Sequence, residues 1–275
     1  MNIAPRLLVF DSGVGGLSVC REIIAAFPAL ELHYLSDNAG FPYGEKLPEQ
    51  LVERARRLIG RAVEQLSPQL VVIACNTAST VVLPALRNTL DIPVVGVVPA
   101  IKTAAAISKT KTIALLATPG TANRDYTLGL IAAHAAEHQV IRLGNAELVT
   151  HIEAHIHGAS LDRLFCQSIV HDLRERHGGE HIDTVVLGCT HFPLIDSVFK
   201  EIEPHWQWID SGAAIAARVG SLLALETNPA RNQTTTHSFW LSAASDSQPA
   251  LDRYLAALNF KPSQVLPGRY QRLIT

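Results

Sequence analysis

Val71-Val72-Ile73-Ala74-Cys75-Asn76-Thr77-Ala78-Ser79 passes from an unbroken apolar run into a small polar turn, and Thr184-Val185-Val186-Leu187-Gly188-Cys189-Thr190-His191-Phe192-Pro193 uses the same design again. Continuous β-branched runs of this length suit strands covered on both faces, and the residues that follow suit the first turn of a helix. Each thiol is therefore expected at the carboxyl end of a strand, the edge at which open α/β sheets bind ligands. Helix amino termini lower a thiol's pKa toward the reactive thiolate, so the pattern predicts two reactive thiols facing one substrate.

Working outward, apolar runs recur at 7–10, 32–35, 70–74, 94–98, 113–117, 140–143, 184–187 and 206–209, with helix-like stretches between most of them. Leu17, Cys20, Ile24 and Phe27 repeat at helical spacing over 17–27, and 161–173 and 213–225 read as further helices. This alternation predicts an α/β fold with mainly parallel sheets flanked by helices. A weak internal repeat divides it. Asp11-Ser12-Gly13 follows the first run and Cys75 comes 64 residues after Asp11; Thr118-Pro119-Gly120 follows the run at 113–117 and Cys189 comes 71 residues after Thr118. Two similar domains are expected, related by a pseudo-twofold axis, with one cysteine on each wall of the cleft between them. Their boundaries fall near Pro99 and Asp210, giving 1–98 plus 210–275 and 99–209. The polar stretch 227–236 is the one long loop candidate.

Composition excludes several classes. With 275 residues, 48% hydrophobic, 17% charged and a net charge of −2, the chain offers no basic field for nucleic acid or an anionic membrane. The opening apolar run is too short for a signal-peptide core and charges interrupt every longer one, so a cytoplasmic chain with no membrane partner is expected. Four cysteines without Cys-x-x-Cys spacing form neither a disulfide framework nor a zinc ribbon, and reduced thiols follow. Free cysteine is more often core than catalyst, the reading adopted for Cys20 and Cys166; the strand-end position of Cys75 and Cys189 reverses it.

Three other stretches invite chemistry. Asp11-Ser12-Gly13-Val14-Gly15-Gly16-Leu17-Ser18 resembles a dinucleotide turn, and Asp37 closes the next strand at a suitable distance. However, Ser18 holds the third glycine's place and Asp11 would sit where a pyrophosphate approaches. No Gly-Lys-Ser/Thr P-loop is present either. Asp11 better suits a cation such as a substrate ammonium or an imidazolium, while a purely structural tight turn remains the alternative. In His151-Ile152-Glu153-Ala154-His155-Ile156-His157 the glutamate is misplaced for His-Glu-x-x-His, and a solvated helix face outweighs a zinc site; no metal is expected. His191 lies two residues after Cys189, where an imidazole could polarise the thiol or assist proton transfer, or simply bind backbone.

Asp11-Ser12-Gly13-Val14-Gly15-Gly16-Leu17, Pro42-Tyr43-Gly44, Ala74-Cys75-Asn76-Thr77-Ala78, Leu115-Leu116-Ala117-Thr118-Pro119-Gly120-Thr121 and Leu187-Gly188-Cys189-Thr190-His191-Phe192-Pro193, in this order over residues 7 to about 215, resemble the glutamate racemases of the aspartate/glutamate racemase family. The resemblance implies an isomerase that interconverts L- and D-glutamate without a cofactor and supplies D-glutamate for peptidoglycan, hence for cell wall and cell shape. It implies that Cys75 takes the α-proton from D-glutamate and Cys189 from L-glutamate, with Asp11 and His191 assisting the neighbouring thiols. The matching substrate-binding positions are Asp11, Ser12, Pro42, Tyr43, Gly44, Asn76, Thr77, Thr118, Thr121, Thr190 and His191, with Glu153 near a further family glutamate. A solvated surface place for Glu153 stands beside that role.

Two departures are visible. Only six residues precede the first strand motif, where some relatives carry a longer extension connected with activation by a peptidoglycan precursor, and Asp125 stands where serine is expected. Homodimerisation is left open. Two other classes remain alternatives: an acyl-transfer enzyme in which one cysteine is a nucleophile and His191 its base, and a binding module that kept the fold.

Overall fold

The apolar runs become parallel strands because each is too hydrophobic to leave either face in water. In the computed structural model, which describes residues 5–226 and 235–267, β1 (Arg6–Asp11), β2 (Glu31–Ser36), β3 (Leu70–Ile73) and β4 (Val94–Gly96) pair in the order β2-β1-β3-β4. β5 (Thr112–Ala117), β6 (Gln139–Gly144), β7 (Thr184–Leu187) and β8 (Gln207–Ile209) form a second sheet in the order β6-β5-β7-β8. All these pairings are parallel. The same order twice makes the repeat in the sequence a repeat in topology. Phe10 pairs with Ile73 in one sheet and Leu116 with Leu187 in the other, and each cysteine follows two residues beyond.

Two short strands, β9 (Ser238–Leu241) and β10 (Gln264–Val265), extend the first sheet beyond β2. Neither is among the predicted strands, since runs of four and two residues carry too little periodic signal. Their place comes from tertiary packing, including the stacking of Phe239 on Tyr34 with ring centroids 4.7 Å apart. Residues 227–234 of the predicted polar loop lie outside the described residues.

The helices are α1 (Leu17–Ala26), α2 (Pro48–Leu66), α3 (Asn76–Arg87), α4 (Ile101–Ile107), α5 (Pro119–Ala122), α6 (Asp125–His134), α7 (Glu147–Ile156), α8 (Arg163–Arg174), α9 (Asp196–Ile202), α10 (Gly212–Leu222) and α11 (Gln248–Ala256). They cover the sheets in packed pairs, α1 against α10, α2 against α3 and α8 against α9. Local chemistry sets their ends. α1 stops one residue short of Phe27 because the residue before a proline, here Pro28, is pushed out of the α region. α8 starts at Arg163 because the Asp162 side chain accepts the Phe165 amide at 3.0 Å. The pattern at 213–225 ends early, at Leu222, with Ala224 in the left-handed region at φ 50°. No helix among the described residues is long and apolar enough to cross a membrane.

Candidate active site

Both cysteines sit where a parallel sheet turns from its first to its third strand, the point at which neighbouring crossovers leave in opposite directions and open a crevice. Cys75 is the N-cap of α3, and Cys189 opens the turn that leads into the 3-10 segment Phe192–Ile195. The two sheets present these ends to one another across a cavity of about 220 Å³. Its walls include Asp11, Ser12, Pro42, Tyr43, Gly44, Cys75, Asn76, Thr77, Thr118, Thr121, Cys189, Thr190 and His191. Both thiols are buried but reach the cavity, with 7% and 8% of their surface exposed.

Each thiol has its own polar escort. On one side the Ser12 hydroxyl lies 4.0 Å from Cys75 Sγ, and Asp11 Oδ1 accepts the Ser12 amide at 2.6 Å and its hydroxyl at 3.3 Å. Asp11 Oδ2 accepts from Thr190 Oγ1 at 3.0 Å, tying the first sheet's turn to the second sheet's cysteine loop. On the other side, Cys189 Sγ lies 3.9 Å from His191 Nδ1, and His191 Nε2 meets Glu153 Oε2 at 2.7 Å. Tyr43 donates to Asp37 at 2.5 Å, and Arg54 forks onto both oxygens of that carboxylate. Asp37 therefore orients a cavity-lining tyrosine, a task unrelated to a nucleotide ribose.

The glycines of the first turn explain themselves by proximity. A Cβ on Gly13 would collide with the Glu153 carboxylate, and one on Gly15 with the His191 ring and the Thr190 hydroxyl. The turn is a close-approach device that lets the second sheet's acid–base groups come against it. Val14 accordingly donates its amide to Glu153 Oε2 at 3.0 Å.

Electrostatics differ between the two thiols. Burial pushes the Cys75 thiol well above its ordinary value, and the nearby Asp11 carboxylate adds to the push. At Cys75 burial thus reverses the lowering expected at a helix terminus: the hydrogen bond from the Ala78 amide lowers the pKa but is outweighed by desolvation. For His191, burial opposes charge, yet its hydrogen bonds to Cys189 and Glu153 carry it well above 6.5. Glu153 is desolvated too, but hydrogen bonds from His157 and His191 overcome this and hold its carboxyl at about 2. Burial raises Asp11, against the opposing pull of His191, Ser12 and Thr190. An imidazolium thus stands beside one sulfur and a carboxylate beside the other.

Some sequence-named residues fall elsewhere. Glu153 does not line the cavity; it lies behind His191, with 14% of its side chain exposed. The solvated-face reading of the histidine-rich stretch holds least for His157, whose ring turns inward and whose Nε2 is 3.4 Å from Glu153 Oε1. His151 instead faces Glu147 at 3.5 Å, and His155 bonds the Ala159 carbonyl at 2.9 Å. No cluster suited to a metal ion occurs among the described residues. Sequence reasoning overlooked His157, although its spacing of four from Glu153 on α7 is the signal that could have found it. It also missed Phe41, Ala146 and Val149, apolar wall residues outside every quoted motif, and assigned no role to Pro119, which stands within one.

Comparison with known proteins agrees with this arrangement. The family described as Asp/Glu/Hydantoin racemase matches residues 7–219. The chain is 49% identical over 261 residues to the glutamate racemase of Vibrio cholerae, covering 94% of this chain and 96% of that one. It is 44% identical over 265 residues to that of Serratia proteamaculans, covering 96% and 91%. Among solved structures, Escherichia coli glutamate racemase in complex with L-glutamate and the activator UDP-MurNAc-Ala superposes with a TM-score of 0.88 at 43% identity, over 96% of this chain and 98% of that one. Topology, paired cysteines and sequence therefore place the chain in the aspartate/glutamate/hydantoin racemase family.

Proposed function

We propose that this protein interconverts L- and D-glutamate by two-base proton transfer between Cys75 and Cys189, without a cofactor, and supplies D-glutamate for peptidoglycan in the cytoplasm. The observation that supports the reading is a pair of thiols at topologically equivalent strand ends that line one cavity. Inverting Cα requires a base on one face and an acid on the other, and two thiols meet that need without swinging a single group around the substrate. The two sheets would then be two domains, 1–98 with 210–275 and 99–209, closing on substrate.

The escorts suit opposite resting roles. His191, held charged by Glu153, offers a proton donor to Cys189 and favours it as the base toward L-glutamate. Cys75, kept protonated by burial and by Asp11, is the acid that delivers a proton to the opposite face. After turnover the roles exchange. Among the described residues no lysine or arginine lines the cavity, so the substrate carboxylates fall to neutral donors: the first amides of α3 at Asn76 and Thr77 and the Thr118–Thr121 hydroxyl pair, since the hydroxyls of Ser12, Tyr43 and Thr190 already donate to Asp11 and Asp37. These donors also stabilise charge as the Cα carbanion develops. The match to glutamate racemases favours glutamate over aspartate, because a shorter substrate leaves buried donors unpaired.

Labelling tests the mechanism. In deuterated water, early D-glutamate formed from L-glutamate should carry deuterium at Cα while recovered L-glutamate stays protiated, and the reverse reaction should mirror this. Cys75→Ser and Cys189→Ser should each suppress racemisation severely. Equal early labelling of both pools, or racemisation by either serine variant at the parent rate, would sink the two-base reading.

A further inference from the structure

Glu153 is held from two sides. Oε2 accepts from His191 Nε2 at 2.7 Å and from the Val14 amide at 3.0 Å, whereas Oε1 faces His157 Nε2 at 3.4 Å. His157 is the C-cap of α7 and is itself clamped: its Nδ1 lies 2.6 Å from Ser247 Oγ, which is 2.9 Å from Ser245 Oγ. Ser247 caps α11, in the segment that follows β9 of the first sheet, whereas His157 belongs to the helix after β6 of the second. A line of polar contacts thus runs from Cys189 through His191, Glu153 and His157 to Ser247.

The chemistry of each contact sets its direction. A ring that donates Nε2–H to a carboxylate must accept at Nδ1 if it is neutral, and Ser247 supplies the hydroxyl that satisfies it. Without His157, Glu153 Oε1 loses its donor in a largely buried place, and the carboxylate is free to turn away from His191. Orienting partners of this kind are how a buried acid–base residue keeps its geometry.

We propose that His157, fixed by Ser247, is a positioning residue for the Cys189 half of the reaction: it keeps the Glu153 carboxylate against His191 and so keeps the His191 donor on Cys189. This rests on the two-cysteine reading above and extends it to the helix end and the α11 cap. Proton transfer at Cys75 is escorted by Ser12 and Asp11, which His157 does not touch, so the effect of its loss falls on one half-reaction.

Isotope effects separate the halves. The equilibrium constant of a racemisation is one, so kcat/KM is the same in both directions and by itself reports nothing about which step slowed. With α-deuterated L-glutamate the labelled bond breaks at Cys189, and with α-deuterated D-glutamate it breaks at Cys75. In His157→Leu, which keeps bulk but removes the donor, kcat should fall roughly tenfold. The primary isotope effect on kcat/KM should rise from the L side and fall toward one from the D side. His157→Gln, whose amide reaches the Nε2 position, should restore the parent pair of isotope effects. Ser247→Ala should shift both in the Leu variant's direction by less, and it supplies the test if His157→Leu does not fold. An unchanged pair of isotope effects in the Leu and Ala variants, with or without a loss of rate, overturns the inference, as does a shift in the opposite sense. Failure of the parent protein to racemise glutamate would instead overturn the function it rests on.

Discussion

Replacing Gly15 by alanine should disable the site while leaving the fold standing. An added Cβ would lie 2.7 Å from His191 Cε1 and 2.8 Å from Thr190 Oγ1, with Nδ1 closer still. Ordinary contact begins at 3.4 Å, so Cε1 must retreat by about 0.7 Å and Nδ1 by more. It has little room, being 2% exposed with Nε2 on Glu153 and the Phe41 ring centroid 5.9 Å away. The turn is equally anchored, since Ser18 Oγ donates to the Thr190 carbonyl at 2.7 Å and lies 2.9 Å from the Gly15 carbonyl. Crowding of this kind costs about 1–3 kcal/mol of stability. A misplacement of about 1 Å in acid–base groups costs on the order of a hundredfold in rate, or about 2.7 kcal/mol in the barrier. The assay is decay of the circular dichroism of L-glutamate, paired with urea unfolding. Gly60→Ala on α2, where nothing lies within 4 Å of the new carbon, is the matched control and should gain about 0.5–1 kcal/mol with activity intact. A Gly15→Ala protein with kcat within about twofold of the parent would refute the close-approach account of the turn.

Two further outcomes follow from the site. Asn76 Oδ1 is buried on the cavity wall with no hydrogen-bond partner among the described residues, so Asn76→Leu should raise KM for glutamate about tenfold or more while leaving thermal stability equal or higher; a fall in Tm with KM unchanged would make Asn76 structural. The Glu153–His191 pair should make stability depend on pH at both ends. The carboxyl, at about 2 against an ordinary 4.5, contributes on the order of 3 kcal/mol above pH 4.5 that is lost as pH falls toward 2. The imidazole, raised above 6.5, contributes fully below pH 6.5 and loses its share as pH rises through its folded value. Urea unfolding from pH 3 to 9 should show both flanks, and Glu153→Gln should flatten them; an unchanged profile would count against the pair.

Much of this architecture is local in origin, and that part was legible in the chain. Val71 to Ile73 and Val185 to Leu187 are fully or almost fully buried, as runs without a polar face must be, and the repeated offsets from Asp11 to Cys75 and Thr118 to Cys189 correspond to one strand order used twice. Helix starts and stops at Asp162 and Pro28 also obey neighbours in sequence. What only tertiary structure decided depends on groups distant along the chain. β9 finds its place because β2 leaves an edge open and Tyr34 offers a face for Phe239. Glu153 and His157 turn inward because the glycine turn of residues 13–15 and the Ser247 cap come to them from elsewhere, so a histidine-rich helix end that reads as solvated becomes part of a buried line of contacts. The rise in the Cys75 pKa is of the same kind: a helix terminus can be read from sequence, but the desolvation that outweighs it exists only once both sheets have closed around the thiol.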